Sequence, residues 1–215
     1  MVDRTQVSAR SPAVNLNGAI RAARVPKAQH AELKDQTPCV LWFTGLSGAG
    51  KSTVAYALEH RLTALGHHTY LLEGDNTRDG LNRDLGFDGT ERVEKLRRIG
   101  EVARLMVDAG LIVIAVFVSP LRSDRQLVRE MFEPHEFIEV FTDTPIEIAE
   151  QRDPKGLYRL ARDGAIKSFP GIDTPYEPPT DAEIRLQTAE AGVEACVRGI
   201  METLRGNDVI EHVGP

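Results

Sequence analysis

The sequence predicts an α/β domain of three layers, a mainly parallel sheet with helices on both faces. Three observations carry this. Short apolar runs alternate with amphipathic stretches of helical length, the pattern of successive βαβ crossovers. Two of the runs, 39–44 and 111–118, are apolar on consecutive residues, as strands buried on both faces must be. A glycine-rich turn follows directly on the first of these runs.

Taken in order, residues 1–36 stand apart. Arg4, Arg10, Arg21, Arg24 and Lys27 are scattered among few acids, with no apolar period, and a flexible arm is expected. Asp3 argues against a transit peptide, and no secretory apolar core is present. A domain is expected over 37–215. Strands are expected at 39–44, 69–73, 111–118 and 137–143, with a late one at 209–213. Helices are expected at 51–65, 91–109, 121–132 and 145–151, and 181–204 reads as a closing helix. The segment 152–180 breaks the alternation, being rich in Pro, Gly and basic residues. A long polar segment inside a compact domain is usually functional, and a lid is expected over about 155–175.

Composition narrows the function. With 215 residues, 41% hydrophobic and 27% charged, the chain can bury a full core. A net charge of −6 argues against general affinity for nucleic acid. The longest apolar stretch, 110–120, is too short to span a bilayer, so no membrane partner is expected. Cys39 and Cys196 have neither metal nor redox spacing and read as buried thiols of a reducing, cytoplasmic setting.

The chemistry begins at 45–52, GLSGAGKS, a full match to G-x-x-x-x-G-K-[ST] between a strand and a helix. Glycines let successive N–H groups converge on phosphate oxygens, and the helix start adds its positive end. The domain is therefore expected to adopt a P-loop NTPase fold that takes ATP. Lys51 would reach the β- and γ-phosphates, and the Ser52 hydroxyl would ligate Mg²⁺. At the carboxyl edge of the next strand, Asp75 is the candidate for accepting a proton from an attacking hydroxyl or for holding the metal with Ser52. Arginines follow at Arg78, Arg83, Arg92, Arg97 and Arg98, and an anionic acceptor needs one or two such guanidinium forks. Phe87 and Phe169 offer π-faces for a base.

Longer runs carry a specific resemblance: WFTGLSGAGKST (42–53), GDNTRDGLNRDLGF (74–87), RRIGEVARLMVDAGLIVI (97–114), FVSPLRSDRQLVRE (117–130), RDPKGLY (152–158) and GIDTPYE (171–177). From about 37 to 205 the chain resembles adenylylsulfate kinase. The resemblance implies transfer of the γ-phosphoryl of ATP, with Mg²⁺, to the 3′-hydroxyl of adenosine 5′-phosphosulfate (APS), giving PAPS, by a homodimer. It implies that Gly45, Leu46, Ser47, Gly48, Ala49, Gly50, Lys51, Ser52 and Thr53 hold ATP. Asp75 and Asn76 would address the acceptor and metal, Arg78 and Arg92 the phosphosulfate end, and Phe87 and Phe169 the acceptor adenine. Glu73, Lys95, Val118, Ser119, Lys155 and Ser168 would complete the acceptor pocket. Ser119 matches the serine described as phosphorylated in bacterial members. Direct transfer needs no such intermediate, so Ser119 is read as pocket lining and stands third, after Lys51 and Asp75, among the candidate catalytic positions.

The chain departs from the family pattern at Glu73 (usually Asp), Lys95 (usually Asn) and Pro170 (usually Thr). Lys only donates where Asn both donates and accepts. If Glu73 neutralises Lys95 the pocket keeps the family's charge. If Lys95 faces the pocket, a different nucleoside 5′-diphosphoryl acceptor is the alternative. A regulatory module without catalysis is a third reading, disfavoured by Lys51, Ser52 and Asp75.

Overall fold

A computed structural model describes residues 25–86 and 89–211. Strand β1 (Cys39–Thr44) is buried at every residue. Its side chains alternate between two cores, Cys39, Leu41 and Phe43 on one face and Val40 and Trp42 on the other. The run is apolar throughout because both faces are covered. Strand β3 (Ile112–Val116) repeats the division, with Ile112, Ile114 and Val116 opposite Val113 and Ala115. With β2 (Thr69–Glu73), β4 (Phe137–Thr142) and β5 (Ile184–Leu186), they form an all-parallel sheet in the order β2-β3-β1-β4-β5.

Helix α2 (Lys51–Ala64) and the C-terminal Val193–Gly206 helix cover the first face through Val54, Leu58, Leu62, Ile200 and Leu204. The Gly89–Asp108 helix covers the other through Leu96, Ile99, Ala103 and Val107, a 3–4–4 spacing that places one apolar stripe on the sheet. Val128 of the Arg122–Arg129 helix joins it. In chain order the helices are α1 (Lys27–Glu32), α2, α3 (Gly74–Arg78), α4 (Gly89–Asp108), α5 (Arg122–Arg129), α6 (Ile146–Arg152), α7 (Leu157–Arg162) and α8 (Val193–Gly206). The expected three-layer α/β arrangement is present.

Three expectations need correction. The late strand at 209–213 does not form within its described part. Val209 and Ile210 instead turn into the first core, with Val209 N–H bonded to the Leu204 carbonyl. The helix expected over 181–204 is split. Ile184–Leu186 pairs as β5 with Val140–Thr142, because the sheet edge offers backbone partners that the local pattern does not reveal. The arm expected over 1–36 lies outside the described residues up to 24, but 25–36 is folded onto the body. Lys27 pairs with Glu133 and Glu136. Buried Gln36 donates to the His68 and Gly110 carbonyls, both at 2.9 Å, and accepts from His68 N–H at 2.8 Å. Gly110, at φ +85°, lies so close under α1 that a Cβ would meet the His30 carbonyl at 2.8 Å.

Cys39 and Cys196 are buried, unpaired thiols, as expected, and burial pushes Cys39 up to about 12. No helix among the described residues is long and apolar enough to cross a membrane.

Candidate functional site

In an open parallel sheet, ligands sit beyond the strand carboxyl ends where the strand order reverses, and here that point is β1, flanked by β3 and β4. The loop leaving β1 there winds through 45–50 into α2. Gly48, at φ +74°, approaches α6 so closely that a Cβ would lie 2.4 Å from the Ala149 carbonyl oxygen. Only glycine gives this turn without displacing α6. The Ala49 carbonyl is held by the Thr188 hydroxyl at 2.8 Å, and Tyr158 Oη donates to the Ser47 carbonyl at 2.9 Å.

Lys51 is buried and folded back on this loop, donating to the Gly45 and Leu46 carbonyls at 2.9 and 2.7 Å. Burial, and then the neighbouring charge of Lys155, lower its pKa to about 7. A neutral amine has two N–H groups, enough for both carbonyls. The charged form gains a third, available to a phosphate.

The loop borders a cavity of about 1130 Å³. Single-ligand pockets usually span ~300–1,000 Å³, so it has room for two nucleotides. Ser47, Gly48, Gly50, Lys51, Ser52 and Thr53 line one part, whereas Gly45, Leu46 and Ala49 do not line it and serve through the loop's own bonds. The rest of the wall includes Glu73, Arg78, Arg92, Lys95, Val118, Ser119, Lys155, Ser168 and Phe169, the residues expected to form an acceptor pocket. Asn76 is not brought in. Its amide oxygen accepts Glu73 N–H at 2.9 Å and its nitrogen donates to the Leu71 carbonyl at 2.7 Å, so it caps the β2–α3 junction. The Asp75 side chain and all of Phe87 lie outside the described residues.

Ser119 sits at φ +37°, a left-handed conformation uncommon for serine, and is buried. Trp42 Nε1 donates to its Oγ at 3.1 Å, and Arg125 Nη1 to its carbonyl at 2.7 Å. Arg92 Nη2 donates to the Ser168 carbonyl at 3.0 Å, joining α4 to the segment over the cavity. Phe169 is buried edge-on against Tyr158 at 5.0 Å, in an apolar cluster with Ala149 and Ala161, and still lines the cavity. The cluster forms because α7 folds back toward the phosphate loop, where Leu46 and Ile146 also pack.

The proposed neutralisation of Lys95 by Glu73 is not what the structure shows. Tyr56 Oη donates to Glu73, and no ion pair joins Glu73 to Lys95 among the described residues. Half-buried Lys95 faces the cavity. Burial, followed by the charge of Arg78, lowers its pKa, the opposite of what a carboxylate partner does.

Sequence reasoning missed Arg152, Thr188 and Cys196, which line the cavity. Arg152 sits inside the quoted 152–158 run. Thr188 follows a strand that local periodicity hid, and Cys196 reads as an ordinary core thiol, so neither carried a signal.

The Ser52 hydroxyl lines the cavity beside the phosphate loop. A hydroxyl oxygen there fits Mg²⁺, which keeps most of its waters and takes few protein ligands beside substrate phosphates.

A family model described as adenylylsulphate kinase matches residues 37–187. The adenylyl-sulfate kinase of Vibrio vulnificus (strain YJ016) is 60% identical over 184 residues, 85% of this chain and 89% of that relative. That of Marinobacter nauticus is 54% identical over 188 residues, 87% of this chain and 94% of that relative. Among solved structures, the Mycobacterium tuberculosis APS kinase in complex with AMPPNP and APS superposes with a TM-score of 0.75 at 43% identity. It covers 79% of this chain, which in turn covers 99% of that one.

Proposed function

The chain belongs to the adenylylsulphate kinase family, and from that premise we infer how its residues transfer the γ-phosphoryl group of ATP to the 3′-hydroxyl of APS, giving PAPS. The observation that carries the reading is a single cavity with the phosphate loop at one part and Arg78, Arg92 and Lys95 at another. Donor phosphates and an anionic acceptor thus share one chamber. Phosphoryl transfer requires little covalent chemistry of the protein, and placement and charge supply most of the acceleration.

The N–H groups of 47–53 hold the phosphates, and charged Lys51 leaves its two carbonyls to follow the negative charge spreading over the moving group. The Ser52 hydroxyl and Asp75 would hold Mg²⁺, which would neutralise phosphate charge. Asp75 also takes the proton of the acceptor hydroxyl. Arg78 and Arg92 hold the phosphosulfate, and Phe169 offers its ring to the acceptor base. Ser119, fixed by Trp42, lines the acceptor wall and holds no covalent intermediate. Segment 155–175 acts as the lid that excludes water. The kinase domain is 37–215 with 25–36 packed against it, and the protein works in the cytoplasm as a homodimer.

The test is ADP release measured side by side with APS, AMP, ADP and CDP as acceptors. APS should give a kcat/KM of about 10⁴ M⁻¹s⁻¹ or above, and Asp75→Asn should cut kcat far more than ATP affinity. If APS is no better than AMP, the acceptor assignment fails. Light scattering on the eluting protein checks the dimer.

A further inference from the structure

In the transfer inferred above, Lys51 leaves the Gly45 and Leu46 carbonyls to follow phosphate charge, so other contacts must keep the loop in shape. Gly48 and Gly50 stand at φ +74° and +87°. Glycine has little backbone preference of its own, so the orientation of the peptides beside it must be imposed from outside. Two side-chain hydroxyls reach those peptides. Tyr158 Oη donates to the Ser47 carbonyl at 2.9 Å, and Thr188 Oγ1 to the Ala49 carbonyl at 2.8 Å.

Each hydroxyl is itself held. Tyr158 is 1% exposed, and burial, followed by the charges of Glu150 and Asp153, pushes its phenol up to about 12, so it stays a donor. Its ring rests edge-on against Phe169 in the cluster that seats α7 by the loop, and it is not part of the chamber wall. At Thr188, Arg152 Nη1 donates to Oγ1 at 3.3 Å and Nη2 to the carbonyl at 2.8 Å, and Thr144 Oγ1 lies 2.6 Å from Oγ1. A hydroxyl has one proton and two acceptor lone pairs. With Arg152 and Thr144 on the lone pairs, the Thr188 proton is left for Ala49.

A trans peptide is planar, with its C=O and N–H on opposite sides. Gripping the Ser47 carbonyl therefore turns the Gly48 N–H away from Tyr158, and gripping the Ala49 carbonyl turns the Gly50 N–H away from Thr188. Gly48 and Gly50 both line the chamber. The Ala49 N–H between them is spent on the Leu46 carbonyl at 3.2 Å, which leaves alternate amides for phosphate oxygens, as in an anion-binding nest.

We propose that Tyr158 and Thr188 are positioning residues for the donor phosphates, their hydroxyls gripping two loop carbonyls and so aiming the Gly48 and Gly50 N–H groups. The proposal rests on ATP occupying the loop and not on the identity of the acceptor.

The experiment measures binding of AMPPNP with Mg²⁺ to the full-length protein by calorimetry, with folding checked by thermal melting. Tyr158→Phe and Thr188→Val should each raise the dissociation constant about fivefold. Thr188→Ser, which keeps the hydroxyl, should stay within about twofold of wild type. Amide exchange at 166–174 in Tyr158→Phe should match wild type, because the ring still packs on Phe169. A merely structural part for these hydroxyls lowers the melting temperature alone, so wild-type AMPPNP affinity in either folded variant overturns the proposal. Thr188→Ser binding as weakly as Thr188→Val also overturns it. So does weakened binding in Tyr158→Phe with faster exchange at 166–174, which traces the loss to the lid segment. If wild-type protein binds AMPPNP but does not phosphorylate APS, the acceptor reading fails, and the affinities still decide the proposal.

Discussion

Lys51 shows how one side chain serves both the empty and the loaded loop. With its pKa lowered to about 7 by burial, it is mostly neutral at pH 8 and holds two loop carbonyls. Phosphate oxygens favour the charged form, so ATP binding raises its pKa. Binding should therefore take up close to one proton at pH 8 and almost none at pH 6, read by calorimetry in buffers of different ionisation enthalpy. Lys51→Met should abolish both the uptake and detectable transfer. Equal proton uptake at both pH values would contradict this account. Arg125 is a second residue whose role exceeds its position. Almost fully buried, it bonds Glu139 at 2.6 Å, the Ser119 carbonyl at 2.7 Å and the Glu177 carbonyl at 2.8 Å. Removing one partner of a buried pair costs ~3–5 kcal/mol, and Arg129 at 3.4 Å still faces Glu139. Arg125→Met should thus lose about 3 kcal/mol in urea unfolding and reduce kcat through the loosened Ser119 wall.

Among the elements, the segment from α7 to the Pro170–Thr174 bridge lines the chamber. It has its own small core of Tyr158, Ala161 and Phe169, and Arg92 ties it to α4. Its turn is organised by Asp173, whose carboxylate accepts Ser168 N–H at 2.6 Å and Phe169 N–H. Asp173→Ala should cost about 1–2 kcal/mol, speed amide exchange at 166–174 and raise ATP hydrolysis without acceptor. Unchanged exchange would mean the turn is held by something else. The phosphate loop is the stiffer partner, wedged against α6 at Gly48. Gly48→Ala would push its Cβ into the Ala149 carbonyl, so ATP affinity should fall at least about tenfold while the sheet stays intact. Titration with a fluorescent ATP analogue reads the loss.

For the whole molecule, the boundary of the folded body lies before 37. Gln36 serves three backbone groups at the base of β2 and β3, one buried and two partly buried, and α1 packs beside Gly110. Each orphaned group costs ~1–3 kcal/mol, water relieving part, so Gln36→Ala should lose about 2–4 kcal/mol in thermal or urea unfolding with kcat unchanged. A loss below about 0.5 kcal/mol would place those groups in contact with solvent. The residue sits at the edge of a stretch whose composition reads as an unstructured arm, because a single glutamine carries no periodicity.

The sequence by itself determined the layered α/β domain, because runs buried on both faces must be apolar at every residue, and β1 and β3 are. It also determined the phosphate loop, whose glycines are required by local backbone geometry, and many of the residues that line the cavity. Other features depended on contacts between residues far apart in the chain. Strand β5 exists because β4 offers an edge, and the 209–211 stretch is drawn into the core instead of pairing. Asn76 became a cap, and Phe169 a buried ring, through neighbours that local pattern does not specify. Whether Glu73 neutralises Lys95 was likewise a tertiary matter, since Tyr56, 17 residues upstream of Glu73, takes the carboxylate first. Local pattern fixes which residues are buried and how the backbone turns. Only the assembled fold decides which polar groups meet, because each such meeting depends on distances of a few ångströms between elements.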